Sequence, residues 1–501
     1  MRLIRLIFAL LGAAGAPVHA EWQRVNTEHF TVYADTRPDK ARDYALELER
    51  FDMLARHVFA LGDREPGMKL TVFALDTDGQ VRAVFGDNSG NVGGFYVPAA
   101  GGALAVVPRA TGSIQTGDIV LRHEYAHHLM MQYFPSTYPI WYVEGFADFL
   151  STASFDKQDF ASLGTPPAAR WMAARNGPQM PVERLLTANR GTLKGPQTSA
   201  LYAEGWMLTH YLSVSGERPG QLSRYLDLLA GGRANRDAAI EAFGPLDQLQ
   251  RDYDRYRQQS RLNYFHIARP FVYSGAATVT PLDAAGQATI RERIALMRGV
   301  PRERRLALAT ELEQAAAQFP GNAETFAMLA QARLLLGEHD AAKSAADKAL
   351  ALDPNLGRAA LWRALAEAAR LQKAGNRDTE AWKAARGDII RANRAVPNDP
   401  LPLYENFRIY TRLGMEPSAT AKQGLARAYQ LLPQHVGVRF TYARLLAREG
   451  KQDAAITLLQ PLANNPHGGD AAEDAARMIE ALRARQPVPD PPSETPGARE
   501  D

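Results

Sequence analysis

The chain has 501 residues, of which 46% are hydrophobic and 23% charged, and a formal net charge of +3. That near balance gives no reason to expect a nucleic-acid partner, and the length leaves room for about two to four domains. The absence of cysteine excludes disulfides, thiolate metal ligands, cysteine nucleophiles and a lipid-anchored N-terminal cysteine.

Residues 1–20 begin with Arg2 and Arg5, continue as an apolar run over 6–16 and end on Val18-His19-Ala20, a small-residue cleavage site. The run is too short to span a bilayer. It predicts a signal peptide and a protein exported to the periplasm or secreted. Later stretches are not apolar enough to span a membrane either.

Residues 30–33 (FTVY) and 70–74 (LTVFA) read as strands. Between them, 40–60 carries Tyr44, Leu46, Leu48, Phe51, Leu54 and Val58 at helical spacing. Two more candidate strands, 94–97 and 103–107, are separated by Ala-Ala-Gly-Gly, a turn signal. As an edge strand, 103–107 can pair with an extended substrate backbone; its unbroken apolar run suits an ordinary buried strand as well. From Thr116 or Asp118, either able to cap, a helix is expected to about residue 134, ended by Pro135 and Pro139. A second covers about 142–154, and others, including 199–212 and 222–229, extend to about 264. A small mixed sheet followed by helices is an α+β arrangement.

His123-Glu124-Tyr125-Ala126-His127 matches H-E-x-x-H on the first of these helices. Residues four apart share a helical face, so both imidazoles can reach one cation. Glu124, at the edge of that face, can poise a water for attack. A catalytic zinc needs a third protein ligand and one open position, and Trp141-Tyr142-Val143-Glu144-Gly145-Phe146-Ala147-Asp148 offers Glu144 on the next helix. Asp148, one turn further on, can accept the free ring N–H of a ligating histidine. Glu204, also followed by glycine, is a rival ligand without a carboxylate four residues on. His128 lies on the wrong face to join the pair.

The two segments HEYAHHL and WYVEGFADFL together resemble the gluzincin metallopeptidases, most of all the peptidase MA-like domains of exported bacterial proteins, some of which also carry tetratricopeptide repeats. The resemblance extends over about 21–264, with its specific part at 123–148. It implies a zincin-like fold, zinc held by His123, His127 and Glu144, Glu124 as general base and proton shuttle, and Asp148 behind His123. The G-x-M-E-N stretch of the aminopeptidase branch is missing, and Leu129-Met130-Met131 stands where metzincins extend their motif. Peptide hydrolysis also needs a donor to the developing oxyanion. Tyr202 is the first candidate and His210, two turns on, the second; each can equally be a packing residue.

Beyond residue 283 the chain reads as nearly all helix. Pro320, Pro354, Pro397, Pro433 and Pro466 each close a helical pair, at spacings of 34, 43, 36 and 33. This resembles the tetratricopeptide repeat, whose period is about 34 residues. The best copy, 323–356, has Phe326, Leu329, Ala330, Gly337, Ala342, Ala346, Ala349 and Pro354 at the signature positions. The expected organisation is a signal peptide (1–20), a peptidase-like domain (21–265), a connector (266–283), helical repeats (284–485) and a disordered, proline-rich tail (486–501). The expected function is zinc-dependent hydrolysis of a peptide or protein substrate, with a protein partner on the repeats. The alternatives are a zinc-binding scaffold without turnover that acts through its repeats, and a hydrolase of cell-wall amide bonds.

Overall fold

In the computed structural model the described residues are 21–486, apart from 63–66, 87–92, 100, 111–116, 135, 189–192, 194, 377 and 464–468. The expectations for the leader, for Thr116, Pro135 and Pro466, and for the tail beyond 486 lie outside them. Nine strands are described: β1 (Trp22–Asn26), β2 (Phe30–Asp35), β3 (Leu70–Thr77), β4 (Phe95–Ala99), β5 (Gly102–Ala110), β6 (Ser154–Phe155), β7 (Phe160–Leu163), β8 (Phe265–Pro270) and β9 (Thr278–Pro281). Six of them form a mixed sheet in the order β4-β5-β3-β2-β1-β9, with β2, β3 and β5 mutually parallel and the other pairs antiparallel. The remaining three make a small antiparallel sheet, β6-β7-β8.

The helices of this N-terminal unit are α1 (Pro38–Val58), α2 (Asp78–Phe85), α3 (Gly117–Tyr133), α4 (Ile140–Ser151), α5 (Ala168–Asn176), α6 (Val182–Leu186), α7 (Pro196–Val214), α8 (Gln221–Ala230), α9 (Asn235–Phe243), α10 (Leu246–Arg257), α11 (Ala284–Ala288) and α12 (Ile290–Arg298). Successive strand residues point to opposite faces. Val32, Val72, Ala105 and Val107 therefore share one core with Phe51 and Leu54 of α1 and Leu121 and Tyr125 of α3. Tyr33, Phe73, Leu104 and Val106 pack on the other face against Val81 of α2 and Ile290 and Ile294 of α12.

With both faces covered, 103–107 is apolar throughout. It lies inside the sheet between β4 and β3, so the edge-strand expectation for it is corrected: β4 is the edge beside α3. Residues 266–283, expected as a connector, supply most of β8 and all of β9, and β9 pairs with β1 at the far edge.

The helical array follows as α13 (Arg305–Gln318), α14 (Ala323–Leu335), α15 (His339–Leu352), α16 (Gly357–Lys373), α17 (Thr379–Ala395), α18 (Pro400–Arg412), α19 (Ala419–Leu431), α20 (Val436–Arg448), α21 (Gln452–Ala463) and α22 (Gly469–Arg483). Pro320, Pro354, Pro397 and Pro433 each fall two residues past the end of α13, α15, α17 and α19. The turns inside the pairs contain Gly337, Gly375, Gly414 and Gly450, each with positive φ (75°, 60°, 65° and 76°), where a side chain would be strained. Buried alanines such as Ala330, Ala346 and Ala360 let neighbouring helices approach closely. No helix among the described residues is long and apolar enough to cross a membrane.

Candidate metal centre

Helix α3 is held from behind by three polar residues at intervals of three. Arg122 donates to the Ala153 carbonyl (2.6 Å) and pairs with Glu47 of α1. Tyr125 donates to Asp52 of α1. His128 meets the Tyr96 hydroxyl of β4 (3.2 Å). At its start, Gly117 sits so close to the end of β5 that an added Cβ would lie 2.1 Å from the Pro108 carbonyl oxygen. These contacts leave His123 and His127 on the face turned to α4.

Helix α4 is set by a second close approach. A Cβ on Gly145 would lie 2.3 Å from the Gly205 carbonyl oxygen of α7, and one on Gly205 would lie 2.6 Å from that of Trp141. Backbone therefore touches backbone beside Glu144, which a residue with any side chain would prevent.

The result is a triangle of donor atoms. His123 Nε2 lies 3.2 Å from His127 Nε2, and Glu144 Oε2 lies 3.4 Å from the first and 3.7 Å from the second. Donors about 2.0–2.1 Å from a tetrahedral ion stand about 3.3–3.4 Å apart, so the three residues fit one small cation. The surrounding charge agrees. Glu124, Glu144 and Asp148 oppose one guanidinium, that of Arg170, so a dication that displaces the extra proton of His123 meets net negative surroundings.

Asp148 divides its carboxylate between two partners. Oδ1 accepts from His123 Nδ1 (3.0 Å) and Oδ2 from Arg170 Nε (2.6 Å). The first contact fixes the tautomer in which His123 Nε2 carries its lone pair toward the triangle. Burial opposes charge on His123, but the hydrogen bonds and charges of Asp148, Glu144 and Glu124 outweigh it and raise the group to about 10. Burial raises the Asp148 carboxyl, but the charges and hydrogen bonds of Arg170 and His123 together outweigh it and hold the group below its ordinary range.

His123, Glu124, His127, Glu144 and Asp148 thus meet between α3 and α4. Tyr202, on α7, joins them through Arg170, whose guanidinium lies 5.0 Å from its ring centre. The other candidates are accounted for by packing. His210 is buried between the Tyr256 hydroxyl (2.8 Å to Nδ1) and the Gly164 carbonyl (2.8 Å to Nε2), and burial pushes it down to about 4. It is a neutral structural ring and does not serve as the alternative oxyanion donor. Glu204 is fully buried with Tyr253 and Arg257. His128 is neutral, lowered to about 3 chiefly by burial, and stacks on Tyr125. Arg170 lies outside both motifs and carries no sequence signal of its role, because only the folded path of α5 brings it to Asp148.

No family model matches the chain, and no curated protein matches it. Among solved structures, a thermophilic TPR protein of Thermus thermophilus is similar to it at 23% identity and a TM-score of 0.30, over 35% of this chain and 90% of that one. Yeast Tom70 is similar at 14% identity and a TM-score of 0.27, over 58% of this chain and 61% of that one. Both likenesses are too distant to bear on function, and the repeat character of the C-terminal array rests on its own helix pairs.

Proposed function

We propose that the chain is an exported zinc-dependent metallopeptidase of the gluzincin kind, with a zincin-like N-terminal domain and a helical array that engages a protein partner or substrate. The observation that carries the reading is the triangle of His123 Nε2, His127 Nε2 and Glu144 Oε2, with edges of 3.2, 3.4 and 3.7 Å. The leader-like composition of residues 1–20 supports export.

His123, His127 and Glu144 would hold the zinc, which when bound would supply Lewis acidity toward a carbonyl and a water of pKa about 7. Asp148 keeps the proton of His123 on Nδ1, away from the site. Glu124, buried next to His123 in sequence, takes the proton of the attacking water and returns it to the leaving amine. Tyr202 donates from its hydroxyl to the carbonyl oxygen as that atom gains charge.

Glu124→Gln separates binding from turnover. It keeps the three ligands, so zinc content is expected to match the parent, while cleavage of casein or a peptide library falls by about a hundredfold or more. Parent-like cleavage by this variant overturns the mechanism. Full complementation of a deletion strain by the same variant favours the scaffold reading instead, and cleavage confined to cell-wall amides changes the substrate but keeps the mechanism.

A further inference from the structure

We infer that Arg170 is a positioning residue of the metal centre, which locks Asp148 behind His123 and holds the Tyr202 ring beside it in one frame; this rests on the metallopeptidase reading above. Its guanidinium donates from Nε to Asp148 Oδ2 (2.6 Å), and its terminal nitrogen lies 3.4 Å from Oδ1, the atom that accepts from His123. Both carboxylate oxygens are therefore engaged, and the rotation that would release the imidazole is blocked. The same planar group covers the Tyr202 ring, its central carbon 5.0 Å from the centroid. One side chain thus touches the carboxylate that orients a ligand and the aromatic ring assigned to the oxyanion.

A lysine in this place would carry the charge but not the geometry. A rigid fork can bind a carboxylate along one edge while its charge stays over an aromatic ring, which a flexible ammonium does not combine. Arg170 also reaches the site from a third helix, α5, whereas the ligands lie on α3 and α4. Asp148 is almost wholly buried and Arg170 a quarter exposed.

The test measures metal affinity as well as activity. In competition with a chromogenic chelator, Arg170→Met is expected to bind zinc about tenfold more weakly than the parent, because Asp148, the outer partner of His123, is then free to turn away from it. The visible spectrum of its cobalt(II) form is expected to shift as His123 loses its fixed orientation. Arg170→Lys restores charge without the fork and recovers only part of the affinity. Arg218→Met serves as the control for loss of a buried arginine: Arg218 pairs with Asp252 (2.6 Å) and Tyr211 (3.0 Å) away from the triangle, and its loss is expected to leave zinc affinity unchanged. If Arg170→Met binds zinc within about twofold of the parent, with an unshifted cobalt spectrum, the inference is wrong while the metal reading stands. Should that variant not fold, parent-like affinity and spectrum in Arg170→Lys overturn it equally. A parent that takes up neither zinc nor cobalt overturns the metal reading and this inference together.

Discussion

His29, Glu49 and Asp52 also bring a ring nitrogen and two carboxylates within reach of one another, as His123, His127 and Glu144 do. Their surroundings differ. Glu49 accepts from the His29 backbone N–H (2.8 Å) and ring (2.7 Å), and Asp52 accepts from Arg56 (2.7 Å) and Tyr125. Two carboxylates face one arginine and one histidine, so a protonated His29 closes the balance and a dication would overfill it. The cluster is the anchor of α3 on α1. Although burial opposes charge on His29, Glu49 and Asp52 raise the ring above its ordinary 6.5; the His29 hydrogen bonds likewise outweigh burial and lower Glu49 below 4.5. The histidine's contribution to stability is thus complete below pH 6.5 and fades as pH rises through its raised folded value. The glutamate's is complete above 4.5 and fades as pH falls through its lowered one. His29→Gln is therefore expected to cost about 1.5–3 kcal/mol near pH 6, as a charged hydrogen bond does, and less at about pH 9. Denaturant unfolding of both proteins at the two pH values checks this; an equal cost at both contradicts it.

At the scale of elements, the crossing of α4 and α7 places Glu144. The N-terminal unit contains Glu-Gly twice, at 144–145 and 204–205, and read by pattern alone the two look like rivals for one role. Folded, they are the two sides of one contact, with Gly145 against the Gly205 backbone and Glu204 turned to Tyr253 and Arg257. Gly145→Ala is expected to destabilise the protein by about 1–3 kcal/mol through overpacking, and to weaken zinc binding by displacing the neighbouring Glu144. Thermal unfolding and a metal titration read the two effects separately. A variant as stable as the parent, with parent-like affinity, would show that the crossing does not position the ligand.

The sites most legible in the sequence are those that helical periodicity alone determines. His123 and His127 share a face because they are four apart, and Asp148 follows Glu144 by the same interval. The joining of those two stripes needed the fold, and Arg170 needed it entirely. Strand β1 has no strand signature in the sequence because Gln23, Arg24 and Asn26 interrupt any apolar alternation, although Gln23 is buried. β9 was hidden in a supposed connector because a four-residue edge strand carries little pattern of its own. The proline spacing, by contrast, located the helix pairs well, since proline stops a helix by local chemistry that tertiary context rarely overrides.

Across the whole molecule, the array folds back on the unit that carries the site. Gln434 donates to the Tyr96 hydroxyl (3.1 Å), the same hydroxyl that meets His128 of α3. Gln132, near the end of α3, donates to the Gln430 carbonyl (3.3 Å), and Arg358 donates to the Gly101 carbonyl (2.6 Å) in the turn between β4 and β5. Every one of these contacts lands on the edge strand, its turn or the helix that bears both histidines. None of the pairings was foreseeable, since each joins residues more than 250 positions apart. The whole account depends on one cation bound where α3 and α4 meet. Anomalous scattering at the zinc absorption edge, from crystals of the full chain grown with zinc, tests that directly. The expected result is a strong peak about 2.0–2.1 Å from His123 Nε2, His127 Nε2 and a Glu144 oxygen. A map without a peak there, or with the Glu144 carboxylate turned away from both imidazoles, would contradict it.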